Sequence, residues 1–61
     1  MNFDELKHKQ YIGDSVYVGH DGYHVWIYTD NGFGPRNSIA LEPDVFDALV
    51  LWNKRRKETS L

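Results

Sequence analysis

From Ser15 onward the chain alternates. Ser15-Val16-Tyr17-Val18-Gly19 and Tyr23-His24-Val25-Trp26-Ile27-Tyr28-Thr29 are rich in β-branched and aromatic residues at period two, the pattern of half-buried strands. Asp21-Gly22 between them is the two-residue signal for a type I′ hairpin turn. Such a turn pairs His20 with Tyr23, Gly19 with His24, Val18 with Val25, Tyr17 with Trp26, Val16 with Ile27 and Ser15 with Tyr28. One face then collects Val16, Val18, Val25 and Ile27, and the other Tyr17, His24, Trp26 and Tyr28. A one-residue slip would set valines against aromatics, so the segregation supports the register.

Asp30-Asn31-Gly32-Phe33-Gly34-Pro35-Arg36-Asn37 concentrates glycine, proline and asparagine and reads as a loop. Ser38-Ile39-Ala40-Leu41 supplies a third short strand, with Ile39 and Leu41 on the aliphatic face. Pro43, Asp44 and Asp47 open a helix, since proline fits the first helical position and carboxylates suit the first turn. The pattern carries that helix to about Lys57. Upstream, Asn2 as a cap, then Asp4 and Glu5, then Lys7 and Lys9 follow the order that complements a helix dipole. A short N-terminal helix ended by Gly13 is therefore permitted.

On the C-terminal helix Val45, Ala48, Leu49 and Trp52 form a stripe about 100° wide, enough to cover one face of a three-stranded sheet. Phe46, Val50 and Leu51 lie outside it. A small monomer cannot bury both sets, and this surplus predicts a homodimer in which Phe46, Val50 and Leu51 pack against their copies. The expected fold class is α+β: a three-stranded antiparallel sheet with the C-terminal helix packed on its aliphatic face.

Length sets the scale. Sixty-one residues support a single thin core and hence one domain. Hydrophobic residues at 41% and charged residues at 26% match a globular chain and argue against disorder. The absence of cysteine excludes a disulfide scaffold, a thiolate zinc site and a cysteine nucleophile, and favours a reducing cytoplasm. No apolar run reaches the roughly 18 residues of a membrane helix, and Met1 to Glu5 lack the basic-then-apolar order of a signal peptide. Charge is uneven: residues 1–53 hold Lys7, Lys9 and Arg36 against eight carboxylates, whereas Lys54-Arg55-Arg56-Lys57 are consecutive cations in a basic segment 54–61.

Candidate chemistry is sparse. His20 and His24 are four apart, but in a tight hairpin they fall on opposite faces, and with no cysteine and no HExxH pattern neither a metal site nor a cofactor is expected. His8 falls on the permitted N-terminal helix. Ser15, Ser38 and Ser60 have no elbow or triad context, and Asp21 and Asp30 are explained as turn residues, so no catalytic constellation is expected. Gly32-Phe33-Gly34 precedes a strand rather than a helix, which does not suit a phosphate cradle. Two features remain. Tyr17, His24, Trp26 and Tyr28 give a broad, rotamer-poor surface suited to a protein partner, unless Phe3, Leu6 and Tyr11 fold over it. Lys54, Arg55, Arg56 and Lys57 either complement the helix C-terminus or contact phosphate, which with stacking on the aromatic face would give a nucleic-acid or nucleotide-binding protein. The acidic body weighs against the second reading.

The runs Gly13-Asp14-Ser15-Val16-Tyr17, Asp21-Gly22-Tyr23 and Ala40-Leu41-Glu42-Pro43-Asp44-Val45-Phe46-Asp47-Ala48-Leu49 follow a GDxVY, DGY, ALEPxVFxAL pattern. In this the chain resembles a group of very small proteins encoded by bacteriophages and prophages, over about residues 13–52. The resemblance implies a bacterial cytoplasm during infection or lysogeny and a non-enzymatic accessory protein that binds and modulates host factors, defence components among them. It carries over no functional residue.

Overall fold

The computed structural model describes residues 3–59. A 3₁₀ turn at Phe3–Glu5 leads into β1 (Lys7–Gly13), β2 (Val16–His20), β3 (Val25–Asp30), β4 (Pro35–Leu41) and α1 (Pro43–Thr59). The four strands form one antiparallel meander in the order β1-β2-β3-β4. The architecture is α+β as the pattern predicts, with four strands instead of three. The extra strand comes from the segment read as an N-terminal helix; of that reading a single 3₁₀ turn remains, and Asn2, its expected cap, lies outside the described residues. Lys7-His8-Lys9-Gln10-Tyr11-Ile12 has no apolar stripe for a helix to bury, and its lysines suit an edge strand that resists further pairing. Register shifts interrupt β1 between Lys7 and Gln10 and between Tyr11 and Gly13, and His8 takes a positive φ of 53°, as a bulged strand allows.

The turns differ from expectation for a local reason. Val16 pairs with Thr29, Tyr17 with Tyr28, Val18 with Ile27, Gly19 with Trp26 and His20 with Val25. The predicted register is therefore displaced by two residues, and the loop is centred on Gly22-Tyr23. Asp21 causes the shift: its carboxylate accepts the backbone N–H groups of Tyr23 at 2.9 Å and His24 at 2.6 Å, while its own N–H donates to the His24 carbonyl at 3.2 Å. Gly22 carries φ 99°. The two consecutive positive φ values of a type I′ turn occur instead at Asp14 and Ser15, 51° and 67°, where β1 turns into β2.

A shift of two preserves side-chain parity. Val16, Val18, Val25 and Ile27 still share a face, joined by Ile39, which pairs with Ile27, and by Leu41, which pairs with Val25. Tyr17, Trp26 and Tyr28 occupy the other, and it is this aromatic face that is covered. Phe3 sits over it, its ring 4.8 Å from Tyr28 and 5.8 Å from Trp26, and Ser38 and Ala40 beside those rings on β4 are small. Tyr28 and Leu6 are each 5% exposed. Leu6 fits against Gly19, where an added Cβ would lie 3.1 Å from the Leu6 Cβ. The N-terminal segment thus forms the core that the C-terminal helix was expected to form.

The helix is present and lies elsewhere. The strands pack on one another, and α1 forms no comparable contact with any of them. Val45 is 48% and Trp52 58% exposed, so the stripe expected to cover the aliphatic face does not. The connection explains this. Glu42 alone separates β4 from α1, and its carbonyl already accepts the Phe46 N–H at 2.9 Å. A residue before proline is held extended, and βα connections ordinarily take about 2–6 residues. With no loop to reverse it, the helix projects, and the molecule measures 38 × 25 × 17 Å.

Candidate protein-binding surfaces

Three surfaces expose groups that the fold itself does not use. The first is the aliphatic face, where Val16, Ile27, Thr29, Asn37 and Ile39 border an open hollow of about 250 Å³. Its lining is apolar apart from Thr29, Asn37 and Ser38, and the Thr29 hydroxyl accepts from the Asn37 backbone and side-chain nitrogens at 3.2 and 3.3 Å. The second is α1. Val45, Leu49, Val50, Leu51 and Trp52 are exposed, whereas Phe46, Asn53 and Arg56 are half-buried. Of the residues expected at a helix-to-helix dimer contact, Val50 and Leu51 are open and Phe46 is partly covered within its own chain.

The third surface is the β3–β4 loop. Asp30 accepts the N–H groups of Gly32 at 2.8 Å and Gly34 at 3.2 Å, and Asn31 accepts that of Phe33 at 3.2 Å. Gly32 and Gly34 supply positive φ, 99° and 104°. These bonds fix the loop by side-chain capping of backbone donors and leave Phe33 at its tip, 85% exposed. Sequence reasoning weighed this segment only as a phosphate cradle. The available signal was an aromatic residue between glycines, in a loop that offers a ring no place in a core.

The aromatic cluster forms a continuous row. Tyr11 is 5.1 Å from Tyr17, and Tyr17 stacks on Tyr28 at 5.6 Å with 15° between planes. Burial, with the Asp30 carboxylate and Tyr17 adding to it, pushes the Tyr28 phenol above its usual range. Of the residues read as a partner surface, Tyr28 lies within the core and Tyr17 and Trp26 are half-buried. His24 sits in the β2–β3 loop, its Nδ1 3.4 Å from the Asp21 carboxylate. The Trp26 indole N–H donates to that carboxylate at 3.1 Å. This bond, the Tyr23 and His24 backbone donors and the His24 charge together hold the Asp21 carboxyl well below the ordinary carboxylate range. The exposed aromatics nearby are Tyr11 and Tyr23.

His8 stands on β1, not on a helix, and its ring stacks on His20 at 5.1 Å. His20 Nδ1 accepts the Gly22 N–H at 3.2 Å. Among the described residues no three of His, Asp or Glu converge as a metal site would require. At the far end of α1, Lys54, Arg55 and Lys57 are exposed, while Arg56 donates to Asn53 at 2.8 and 3.2 Å and lies 5.9 Å from the Trp52 ring. This cluster lies on the projecting helix, whereas the aromatic face lies on the sheet beneath Phe3. Ser60 is outside the described residues, and no described helix is long and apolar enough to cross a membrane. Comparison with protein-family models, curated proteins and solved structures returned no match.

Proposed function

We propose that the protein is a non-enzymatic binding module, an accessory protein of the phage type whose pattern it shares, which binds and modulates a host protein in the bacterial cytoplasm. The observation that carries this reading is Phe33. A phenyl ring 85% exposed on a loop fixed by three side-chain hydrogen bonds contributes nothing to the fold of its own chain. Rigidly presented aromatics of this kind anchor protein interfaces, and prior ordering of the loop lowers the entropy lost on binding. The nucleic-acid alternative is less well supported, because base stacking needs open ring faces and Tyr28 lies beneath Phe3.

The test is a pull-down from nuclease-treated bacterial lysate, with the wild-type chain compared against Phe33→Ser. Phe33→Ser should leave thermal stability within about 0.5 kcal/mol, as for other exposed positions. A host protein retained by the wild type and lost with Phe33→Ser supports the reading. Retention of nucleic acid before nuclease treatment, with no protein afterwards, overturns it.

A further inference from the structure

We infer that α1 is exchanged between two copies of this chain, the helix of each lying on the aliphatic sheet face of the other. This goes beyond the reading above, which rests on Phe33 and assigns no occupant to the aliphatic face or to α1.

The fit is set by complementary halves. Val45, Ala48, Leu49 and Trp52 form an exposed stripe on α1, and Val16, Ile27 and Ile39 border an open apolar hollow on the sheet. These two surfaces satisfy the ordinary rule that a helix stripe buries against a sheet face. Within one chain they cannot meet, because Glu42 is the only connecting residue and is held extended before Pro43. Between two chains the obstacle disappears. A short connection that prevents a helix from closing on its own domain is a known route to exchange of identical elements.

Dimensions and charge agree. A compact chain of 7.2 kDa exposes about 4,100 Å², whereas this one exposes 4848 Å². The excess, about 700 Å² per copy, doubles to an area within the roughly 1,200–2,000 Å² of a standard stable interface. The radius of gyration is 12.9 Å, against about 10.5 Å for a compact chain of this length. The 17 residues of α1 span roughly 25 Å, close to the roughly 23 Å of a seven-residue strand. A helix laid antiparallel to β4 therefore brings Lys54–Lys57 to the end of the sheet where Asp14 and Asp30 stand. Carboxylates stand at both ends of the sheet, Asp14 and Asp30 at one and Glu5, Asp21 and Glu42 at the other, so Lys54–Lys57 meet the acidic body in either orientation.

Sedimentation equilibrium at micromolar concentration, with a linker insertion and with single-cysteine variants read by disulfide formation, tests the exchange. The wild type should be a dimer. Inserting Gly-Ser-Gly-Ser between Leu41 and Glu42 should let α1 close on its own sheet, weakening dimerisation at least tenfold while the helical circular-dichroism signal persists. Because the chain has no cysteine, Ile39→Cys and Leu49→Cys chains can be unfolded together, refolded and oxidised; a disulfide joining the two different chains supports the exchange. A stable wild-type monomer at tens of micromolar overturns it, as does a dimer whose affinity the insertion leaves unchanged. So does a dimer that cross-links through Val50→Cys to its copy and not between Ile39→Cys and Leu49→Cys. A monomer that still retains a host protein through Phe33 overturns the exchange alone, and a dimer with no host partner overturns the binding reading alone.

Discussion

Ile27 and Tyr28 are adjacent on β3 and meet opposite environments. Tyr28 is packed between Tyr17 and Phe3 and is 5% exposed, whereas Ile27 borders an open hollow with Ile39, itself 56% exposed. The usual assignment, aliphatics inward and aromatics outward, is reversed. The difference shows how a very small chain allocates its few covering residues. Phe3 to Leu6 can cover only a patch a few side chains wide. Aromatic side chains bury roughly 150–250 Å² each, so the same short segment gains more over Tyr28 and Trp26 than over valines. The aliphatic face has no such cover among the described residues, because α1 is directed away by its connection.

That contrast can be broken most sharply by removing the ring. Tyr28→Ala should cost about 3–5 kcal/mol, the range for large aromatic truncations in a core, and leave the chain largely unfolded in a denaturant titration. Ile27→Ala, measured in the monomer, should cost about 1–2 kcal/mol, since less of its surface is removed from water. Equal losses at the two positions would show that both faces are covered.

Leu6→Ala should cost about 2–3 kcal/mol at the lid itself, by the same cavity argument. Gly19→Ala approaches the contact from the other side. Its new Cβ meets the Leu6 Cβ at 3.1 Å, so the lid must shift, with an expected loss of about 1–2 kcal/mol. Thermal melts of the two single variants and the double variant, giving a non-additive result, would establish that Leu6 and Gly19 act as one contact.

Gly22→Val places a β-branched residue at φ 99° and should cost about 1–3 kcal/mol through backbone strain. The smallest effect is expected in the same loop, from acid. The native Asp21 carboxyl lies below its ordinary value of 3.8, so on acidification the unfolded chain takes up this proton first. The stability that Asp21 contributes is therefore complete above about pH 5 and declines as pH falls through 4 and below. Denaturation followed by tryptophan fluorescence should show the stability difference between wild type and Asp21→Asn beginning to narrow as pH falls from about 5 to about 3, with the remainder lost at lower pH. A constant difference over that range would mean that the carboxylate charge is not what the Trp26, Tyr23 and His24 donors recognise.

The candidate surfaces were legible to different degrees. The stripe reading separated Phe46, Val50 and Leu51 from Val45, Leu49 and Trp52. Val50 and Leu51 are instead exposed to much the same degree as Val45, Leu49 and Trp52, because α1 leaves the sheet, and Phe46 is half-buried. Phe33 was not legible, because a turn-rich segment says that a loop forms and not that its tip is fixed by Asp30 and Asn31. Tyr17, Trp26 and Tyr28 were gathered correctly on one face. That the face would be interior depended on Phe3 and Leu6, which come from a segment whose charge order suits a helix.

What the sequence by itself determined is local and periodic. Alternation placed Val16, Val18, Val25 and Ile27 together, and their grouping survived a two-residue error in register because strand side chains repeat every second residue. Pro43 and the carboxylates after it determined that a helix begins there. Tertiary structure alone decided which face was covered and where the helix went. The Asp21 carboxylate chose backbone donors at Tyr23 and His24 over the turn that Asp-Gly favours, Phe3 reached the rings opposite Ser38 and Ala40, and Glu42 left no length for a reversal. Each outcome is a competition between contacts that are distant in sequence or specific in geometry, and periodicity carries no information about which contact is within reach.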